Sequence, residues 1–97
     1  MINNTTYKQR AQVFKALGHP SRLAMVEALI EGEKCVCELQ ELVGSDMSTV
    51  SKHLSVLRNA GLVDDRKEGL KIYYSLRLPC IAGFFGCVDE VLGKSDE

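Results

Sequence analysis

Apolar side chains recur at helical spacing in four consecutive stretches of the N-terminal part of the chain. The spacing predicts helices over about 6–17, 20–31, 35–43 and 46–60, and a glycine follows each of them directly. Asp46 stands at the start of the fourth helix, where its carboxylate is suited to accept hydrogen bonds from the free N–H groups of the first turn. Three short helices therefore lead into a fourth that begins at a strong cap.

The C-terminal part changes period and then returns to helical spacing. Residues 62–66 and 71–76 read as strands, and the segment between them contains Gly69, which suits a turn. Pro79 opens a last helix that runs to about residue 92. The order predicts a mainly α fold with a two-stranded β-hairpin, a winged helix-turn-helix whose motif consists of the third and fourth helices.

The chain is short and nearly neutral, with 97 residues, 45% of them hydrophobic and 26% charged, and a formal net charge of −1. These values predict one domain over residues 1–97, with an ordered core at about 7–92, and exclude a two-domain enzyme. A domain of this size buries only about 60 to 70% of its unfolded surface, so pairing with a second subunit would help. No apolar run approaches the ~20 residues of a membrane span and no signal-peptide pattern is visible, so we expect a cytoplasmic protein that makes no membrane contact.

The fourth helix carries short polar side chains opposite its apolar stripe of Val50, Leu54 and Leu57. The major groove of DNA accepts one α-helix, and hydroxyls together with a lysine can reach base edges and phosphates there. We therefore expect a recognition helix that contacts DNA through Ser48, Thr49, Ser51 and Lys52.

Further candidate DNA contacts lie beside and after this face. His53 lies between the stripe and the polar face, so a contact with the neighbouring helix and a contact with DNA are both open. The hairpin tip is basic, and a solvated charged turn is the alternative to a contact with the phosphate backbone or the minor groove. The residues that would make this contact are Arg66, Lys67 and Lys71.

Three segments resemble a known family. They are 16–23 (ALGHPSRL), 35–39 (CVCEL) and 48–63 (STVSKHLSVLRNAGLV). In this order they are similar to the ArsR/SmtB family of metal-responsive repressors, and most similar to its arsenic-responsive members. The resemblance covers roughly residues 7–92 and implies a homodimer, recognition of double-stranded operator DNA, and release of the DNA when an inducer binds.

The four cysteines are expected to be free thiols, because a reducing cytoplasm makes disulfides improbable. Cys35 and Cys37 lie about 200° apart around a regular helix, but their sulfurs can converge where a helix begins. The free N–H groups there favour thiolates, which bind soft ions, whereas the spacing of one residue is awkward for a disulfide.

Cys80 and Cys87 share a helix face but lie about 10.5 Å apart along its axis, too far to hold one ion within one regular helix. Three arrangements remain open: a bridge by the last helix of the other subunit, a contribution of one of them to the first pair, or unwinding of the helix start beside Pro79. Burial as small apolar groups without chemistry is the alternative.

The resemblance implies what these thiols would bind. Arsenic-responsive members hold trivalent arsenic or antimony through Cys-Val-Cys-Asp-Leu-Cys, and Gln40 stands here where the third cysteine would be. It implies As(III) or Sb(III) as the inducer, with no required cofactor, and cadmium or lead as alternatives. A redox or sulfide response of paired thiols is a further alternative. The candidate ligands are Cys35, Cys37, Cys80 and Cys87.

An enzyme is the least favoured class. The sequence contains no Gly-rich phosphate loop, no nucleophile elbow and no clustering of histidines with carboxylates. A metal-storing protein would not need a polar helix followed by a basic hairpin. We therefore expect a DNA-binding repressor.

Overall fold

The computed structural model describes residues 3–94, and its elements follow the predicted order with one addition. Side chains of Asn3, His19 and Asp46 cap three of the helices by accepting hydrogen bonds from backbone N–H groups two or three residues later. The helices are α1 (Asn4–Leu17), α2 (Pro20–Ile30), α3 (Val36–Val43), α4 (Met47–Asn59) and α5 (Ile81–Val91), and the strands are β1 (Lys34–Cys35), β2 (Val63–Glu68) and β3 (Lys71–Leu76).

The predicted hairpin is present, and a third strand joins it. The antiparallel sheet has the order β1-β3-β2, with Lys34 opposite Tyr74 and Cys35 opposite Tyr73. A strand of two residues is too short to show alternation, which is why the sequence predicts Cys35 only at the start of a helix and not also in the sheet. The turn between β2 and β3 is only two residues long, because pairing extends to the ends of both strands, and Gly69 has a φ of 63° there.

The core lies between α2, α3, α4 and the sheet. The predicted apolar stripe of α4, Val50, Leu54 and Leu57, is fully buried in this core, so the opposite face of the helix points toward solvent. The largest side chains without solvent contact are Met25, Val26, Leu39, Val50, Leu54, Leu57, Leu62 and Val63.

The first and last helices are only partly covered. α1 buries Ala16 and Leu17 at its C-terminal end, and α5 buries only Ile81 at its start. α5 begins two residues later than predicted, and Cys80 occupies its N-cap position without a side-chain hydrogen bond to the helix. Across residues 3–94, no helix is both long enough and apolar enough to cross a bilayer.

Candidate nucleic-acid interface and thiol site

The outward face of α4 is polar and accessible. Ser48, Ser51 and Lys52 are exposed, and Thr49 is half-buried. Asp46 Oδ1 accepts hydrogen bonds from the Thr49 backbone N–H at 2.8 Å and from the Ser48 hydroxyl at 3.1 Å. These bonds, first from Thr49 and then from Ser48, hold the pKa of Asp46 below its usual value. Because the Ser48 proton is directed to Asp46, its oxygen presents lone pairs that can accept a hydrogen bond from a base amino group.

His53 lies against the start of α2. Its Nδ1 is 3.3 Å from Nη1 of Arg22, and its ring centroid is 4.4 Å from that of His19. Burial, and then the charges of His19 and Arg22, lower the pKa of His53. Of the two roles that the sequence left open, the structure shows the contact with the neighbouring helix.

We define the wing as β2, β3 and their turn. Its three predicted DNA contacts differ in whether they form ion pairs within the chain. Lys67 and Lys71 are exposed, and neither forms a salt bridge within residues 3–94. Arg66 instead donates to both carboxylate oxygens of Glu33, at 2.6 and 3.1 Å, and to Glu68 at 3.0 Å. Its guanidinium is therefore already paired with carboxylates of the same chain, and its contact with DNA stays a prediction.

Glu33 ties the wing to the segment that enters β1. The hydrogen bond from Arg66 holds the pKa of Glu33 below its usual value, and the bonds to Glu33 and Glu68 raise the pKa of Arg66. The guanidinium also lies 4.8 Å from the centre of the Tyr73 ring, and Tyr73 is the strand partner of Cys35. Arg66 thus holds the wing in place, a role that the sequence could not show because Glu33 is 33 positions away.

Cys35 and Cys37 are joined by a disulfide, which corrects two expectations: that both are free thiols and that their spacing disfavours a bond. Cys35 ends β1 in an extended conformation and caps α3, whereas Cys37 lies in the first helical turn. The chain bends between them, so their Cα atoms are 5.3 Å apart, within the usual range for a disulfide. The predicted convergence of the two sulfurs at a helix start is therefore confirmed.

Hydrogen bonds and burial distinguish the two sulfurs. The Glu38 backbone N–H donates to Cys35 Sγ at 3.4 Å, and the Glu38 carboxylate accepts from the Cys35 N–H at 3.1 Å. Cys35 is buried, whereas Cys37 is exposed. A reagent from solvent therefore meets Cys37 first.

Cys80 and Cys87 are both free and exposed. Burial as small apolar groups, one of the roles left open above, does not hold for a single chain. Within the described part of the chain, no three His, Cys, Asp or Glu side chains come together in a group that could hold a metal ion. The four predicted ligands are therefore not assembled by one copy of the chain.

An apolar surface, here called the α1/α5 face, is left uncovered. It consists of Phe14 on α1 with Phe84, Val88, Val91 and Leu92 on or just after α5, all exposed. The rings of Phe14 and Phe84 contact edge-on, with centroids 6.2 Å apart. A groove of about 420 Å³ opens beside them between α1, α2 and α5. Exposed apolar side chains that lie together in this way are typical of an interaction site.

Comparison with known proteins finds similarity along most of the chain. The profile of the family described as bacterial regulatory protein, arsR family, matches residues 19–65. An HTH-type transcriptional regulator of Mycobacterium tuberculosis is 38% identical over 95 residues, which is 97% of this chain and 83% of that protein. A cadmium resistance transcriptional regulatory protein CadC homolog of Staphylococcus aureus is 45% identical over 67 residues, 68% of this chain and 55% of that protein.

Solved structures show the same likeness. The homodimeric winged helix-turn-helix DNA-binding domain of a possible ArsR-family transcriptional regulator from Mycobacterium bovis has a TM-score of 0.79 and 32% identity. That match covers 93% of this chain and 83% of that one. The same arrangement of helices and wing is therefore present in a protein of related sequence.

Proposed function

The chain belongs to the ArsR family of bacterial regulatory proteins, and we propose that it is a homodimer released from operator DNA when Cys35 and Cys37 bind arsenite or antimonite as thiolates. Membership in the family makes it a DNA-binding transcriptional repressor and not an enzyme. One observation carries the proposal for the inducer. The two cysteines meet at the junction of β1 and α3, where the wing joins the helix-turn-helix motif.

The DNA-binding surface consists of the outward face of α4 and the tip of the wing. Ser48, Ser51 and Lys52 are short or flexible enough to reach base edges and phosphates from a helix in the major groove. Lys67 and Lys71 would contact the adjacent backbone. Two-fold symmetry would place the half-sites about one helical turn, ~34 Å, apart.

The uncovered α1/α5 face and two glycines on a different side of α5 support dimerisation. Gly83 and Gly86 lie on α5, and a Cβ added at either would meet nothing within 4 Å. A glycine inside a helix costs about 0.8–1 kcal/mol relative to alanine, so these two residues are unfavourable in a single chain. They suit a position where a second helix approaches closely. The Mycobacterium bovis domain, which this chain resembles along 93% of its length, is homodimeric.

The chemistry of the cysteine pair fits a soft, thiophilic ion. Sulfurs that share an ion at ~2.3 Å must lie within about 4 Å of each other, and a pair able to form a disulfide satisfies this once it is reduced. The start of α3 stabilises thiolates through its free N–H groups. Because Gln40 replaces a third cysteine in α3, a third thiolate would come from Cys80 or Cys87, supplied across the dimer interface.

Two connections would transmit binding at the cysteines to the DNA-binding surface. Cys35 pairs with Tyr73 in the sheet, and Glu33 holds Arg66, so the wing is attached to the same segment. α3 also leads directly into α4 as the first helix of the motif. An inducer weakens DNA binding only by preferring the DNA-free conformation, and a 100-fold effect requires about 2.7 kcal/mol of coupling.

The decisive experiment is fluorescence anisotropy of the protein, reduced with a phosphine, on the DNA immediately upstream of its own gene. Arsenite, antimonite, cadmium, lead and zinc are titrated in parallel. We expect release by arsenite and antimonite, and loss of that release without loss of DNA binding in the variant with Cys35→Ser and Cys37→Ser. The matched variant carries Cys80→Ser and Cys87→Ser. Its loss of release would show that α5 supplies the third thiolate, whereas such a loss with release retained in the Cys35→Ser, Cys37→Ser variant would place the inducer site at α5. Retention of full release in both double variants would refute thiol sensing.

The disulfide supports a second candidate, a redox or sulfide response at the same two residues. In that case oxidation of the two thiols, and not metalloid binding, would change the affinity for DNA. The test compares the DNA affinity of the Cys80→Ser, Cys87→Ser variant in its reduced form with its affinity after treatment with a polysulfide donor. Mass spectrometry counts the free thiols in each sample. Release only after oxidation would favour this candidate over the metalloid. Release only by cadmium would assign the chain an inducer like that suggested by the name of its Staphylococcus aureus relative.

A further inference from the structure

Arg22 connects the end of α1 to the recognition helix. Its Nε donates to the Ala16 carbonyl at 2.6 Å and its Nη2 to the Lys15 carbonyl at 3.3 Å. Its remaining nitrogen, Nη1, lies 3.3 Å from Nδ1 of His53 on α4. One guanidinium therefore joins two backbone carbonyls of α1 to a side chain of the helix that carries the predicted DNA contacts.

This contact determines where the proton sits on the histidine. Arginine donates hydrogen bonds and cannot accept them, so His53 Nδ1 accepts and the neutral ring carries its proton on Nε2. His19 also uses its Nδ1 as an acceptor, for the Ser21 backbone N–H at 3.1 Å. A proton added to His53 would abolish the acceptor and place a second cation against the Arg22 guanidinium.

We propose that Arg22 and His53 form a positioning pair for the recognition helix, and that protonation of His53 breaks the pair and weakens binding to operator DNA. The inference rests on the proposed DNA-binding function. The charged or titratable groups that face His53 are Arg22 on α2 and His19 at the N-cap of α2, while Lys52 beside it on α4 is exposed. Within residues 3–94, no carboxylate forms a salt bridge with either member of the pair.

The surroundings keep the ring neutral at ordinary pH. Burial, followed by the charges of His19 and Arg22, lowers the pKa of His53 below 6.5. The pair is therefore intact above this value and is lost as the pH falls through the depressed pKa.

The sign of the pH effect separates this role from a direct DNA contact. A histidine that touches DNA becomes positive on acidification and binds the phosphates more tightly. A positioning histidine that must stay neutral gives the opposite result, weaker binding at low pH.

The test compares DNA affinity at about pH 7.5 and about pH 5.5, at constant ionic strength, for the wild type, His53→Asn and His19→Asn. Asparagine offers an oxygen acceptor near the position of Nδ1, so each variant can still accept the hydrogen bond from Arg22 or from the Ser21 N–H. Its amide does not titrate, so the side chain takes up no proton at low pH. Loss of a hydrogen bond to a charged group shifts an equilibrium by about tenfold or more. We expect the wild type and His19→Asn to bind more weakly at the lower pH, approaching about tenfold where His53 is fully protonated, and His53→Asn to show no weakening. Tighter wild-type binding at low pH, or an unchanged pH ratio in His53→Asn, would overturn the proposal.

Thermal unfolding without DNA tests the pair independently. Acidification should lower the melting temperature of the wild type more than that of His53→Asn, because only the wild type loses the contact. If the protein does not bind DNA at all, the proposed function fails, but the unfolding curves still test whether Arg22 and His53 form a pair. Equal decreases in the melting temperature of the wild type and of His53→Asn on acidification would refute the positioning pair.

Discussion

The wing makes a quantitative prediction that separates its arginine from its lysines. Lys67 is exposed and without a salt bridge in the described residues, so in a complex it can neutralise one phosphate per protomer. Each neutralised phosphate contributes about 0.9 to the slope of log affinity against log salt concentration, so Lys67→Ala should reduce the slope of a dimer by about 1.8. The charge of Arg66 is already compensated by Glu33 and Glu68, so Arg66→Ala should change the slope by less than about 0.5.

The assay is fluorescence anisotropy of reduced protein at salt concentrations from about 50 to about 200 mM. Circular dichroism checks that each variant is folded. Glu33→Gln is the matched control, because it removes one of the two charges that compensate Arg66 without shortening the side chain, and it should steepen the slope. If Arg66→Ala flattens the slope as much as Lys67→Ala, Arg66 leaves Glu33 on binding DNA and its positioning role is wrong.

Three further predictions concern the dimer, the core and the cap of the recognition helix. Gly86→Ala should stabilise a single chain by about 0.5–1 kcal/mol but raise the dimer dissociation constant in sedimentation velocity; an equal or tighter dimer would show that α5 does not pair at this residue. Leu54→Ala removes a side chain that is 1% exposed and should cost about 2–5 kcal/mol in chemical denaturation, whereas the exposed neighbour Ser55→Ala should change stability by less than about 0.5 kcal/mol. Asp46→Ala should lower the melting temperature. Because the pKa of Asp46 is held below 3.8, the difference from wild type should be complete above that pH and shrink as the pH falls through the depressed pKa, and a difference independent of pH would argue against the cap.

The local pattern of apolar and polar residues was sufficient to predict the helices and the hairpin. It was insufficient to predict the contacts that connect these elements. Three correctly predicted features depend only on residues close together in the sequence. They are the cap at Asp46, the apolar stripe of α4 and the convergence of Cys35 and Cys37 at a helix start. β1 is different, because two residues have no period, and only the register of β3 shows that Cys35 belongs to the sheet as well as to the cap of α3. The link between the cysteines and the wing is for this reason invisible in the sequence.

Charges show the same limit more clearly. The sequence groups Arg66 with Lys67 and Lys71 because all three are basic and lie near one turn. The folded sheet brings Glu33 to Arg66 from 33 positions away and leaves the two lysines without partners in the described chain. Composition counts these three cations equally, whereas pairing decides which of them is available to a phosphate.

The distribution of pairs also accounts for how a chain with a net charge of −1 can bind DNA. All three arginines between residues 45 and 78 are held by carboxylates: Arg58 by Asp65, Arg66 by Glu33 and Glu68, and Arg77 by Asp64. The lysines of the same segment, Lys52, Lys67 and Lys71, form no salt bridge within residues 3–94. Three available cations per protomer limit a dimer to about six phosphate contacts from this segment and a salt slope of about −5. Because Lys67 and Lys71 lie on the wing that Glu33 attaches to the cysteine junction, a small shift there would displace most of these contacts together.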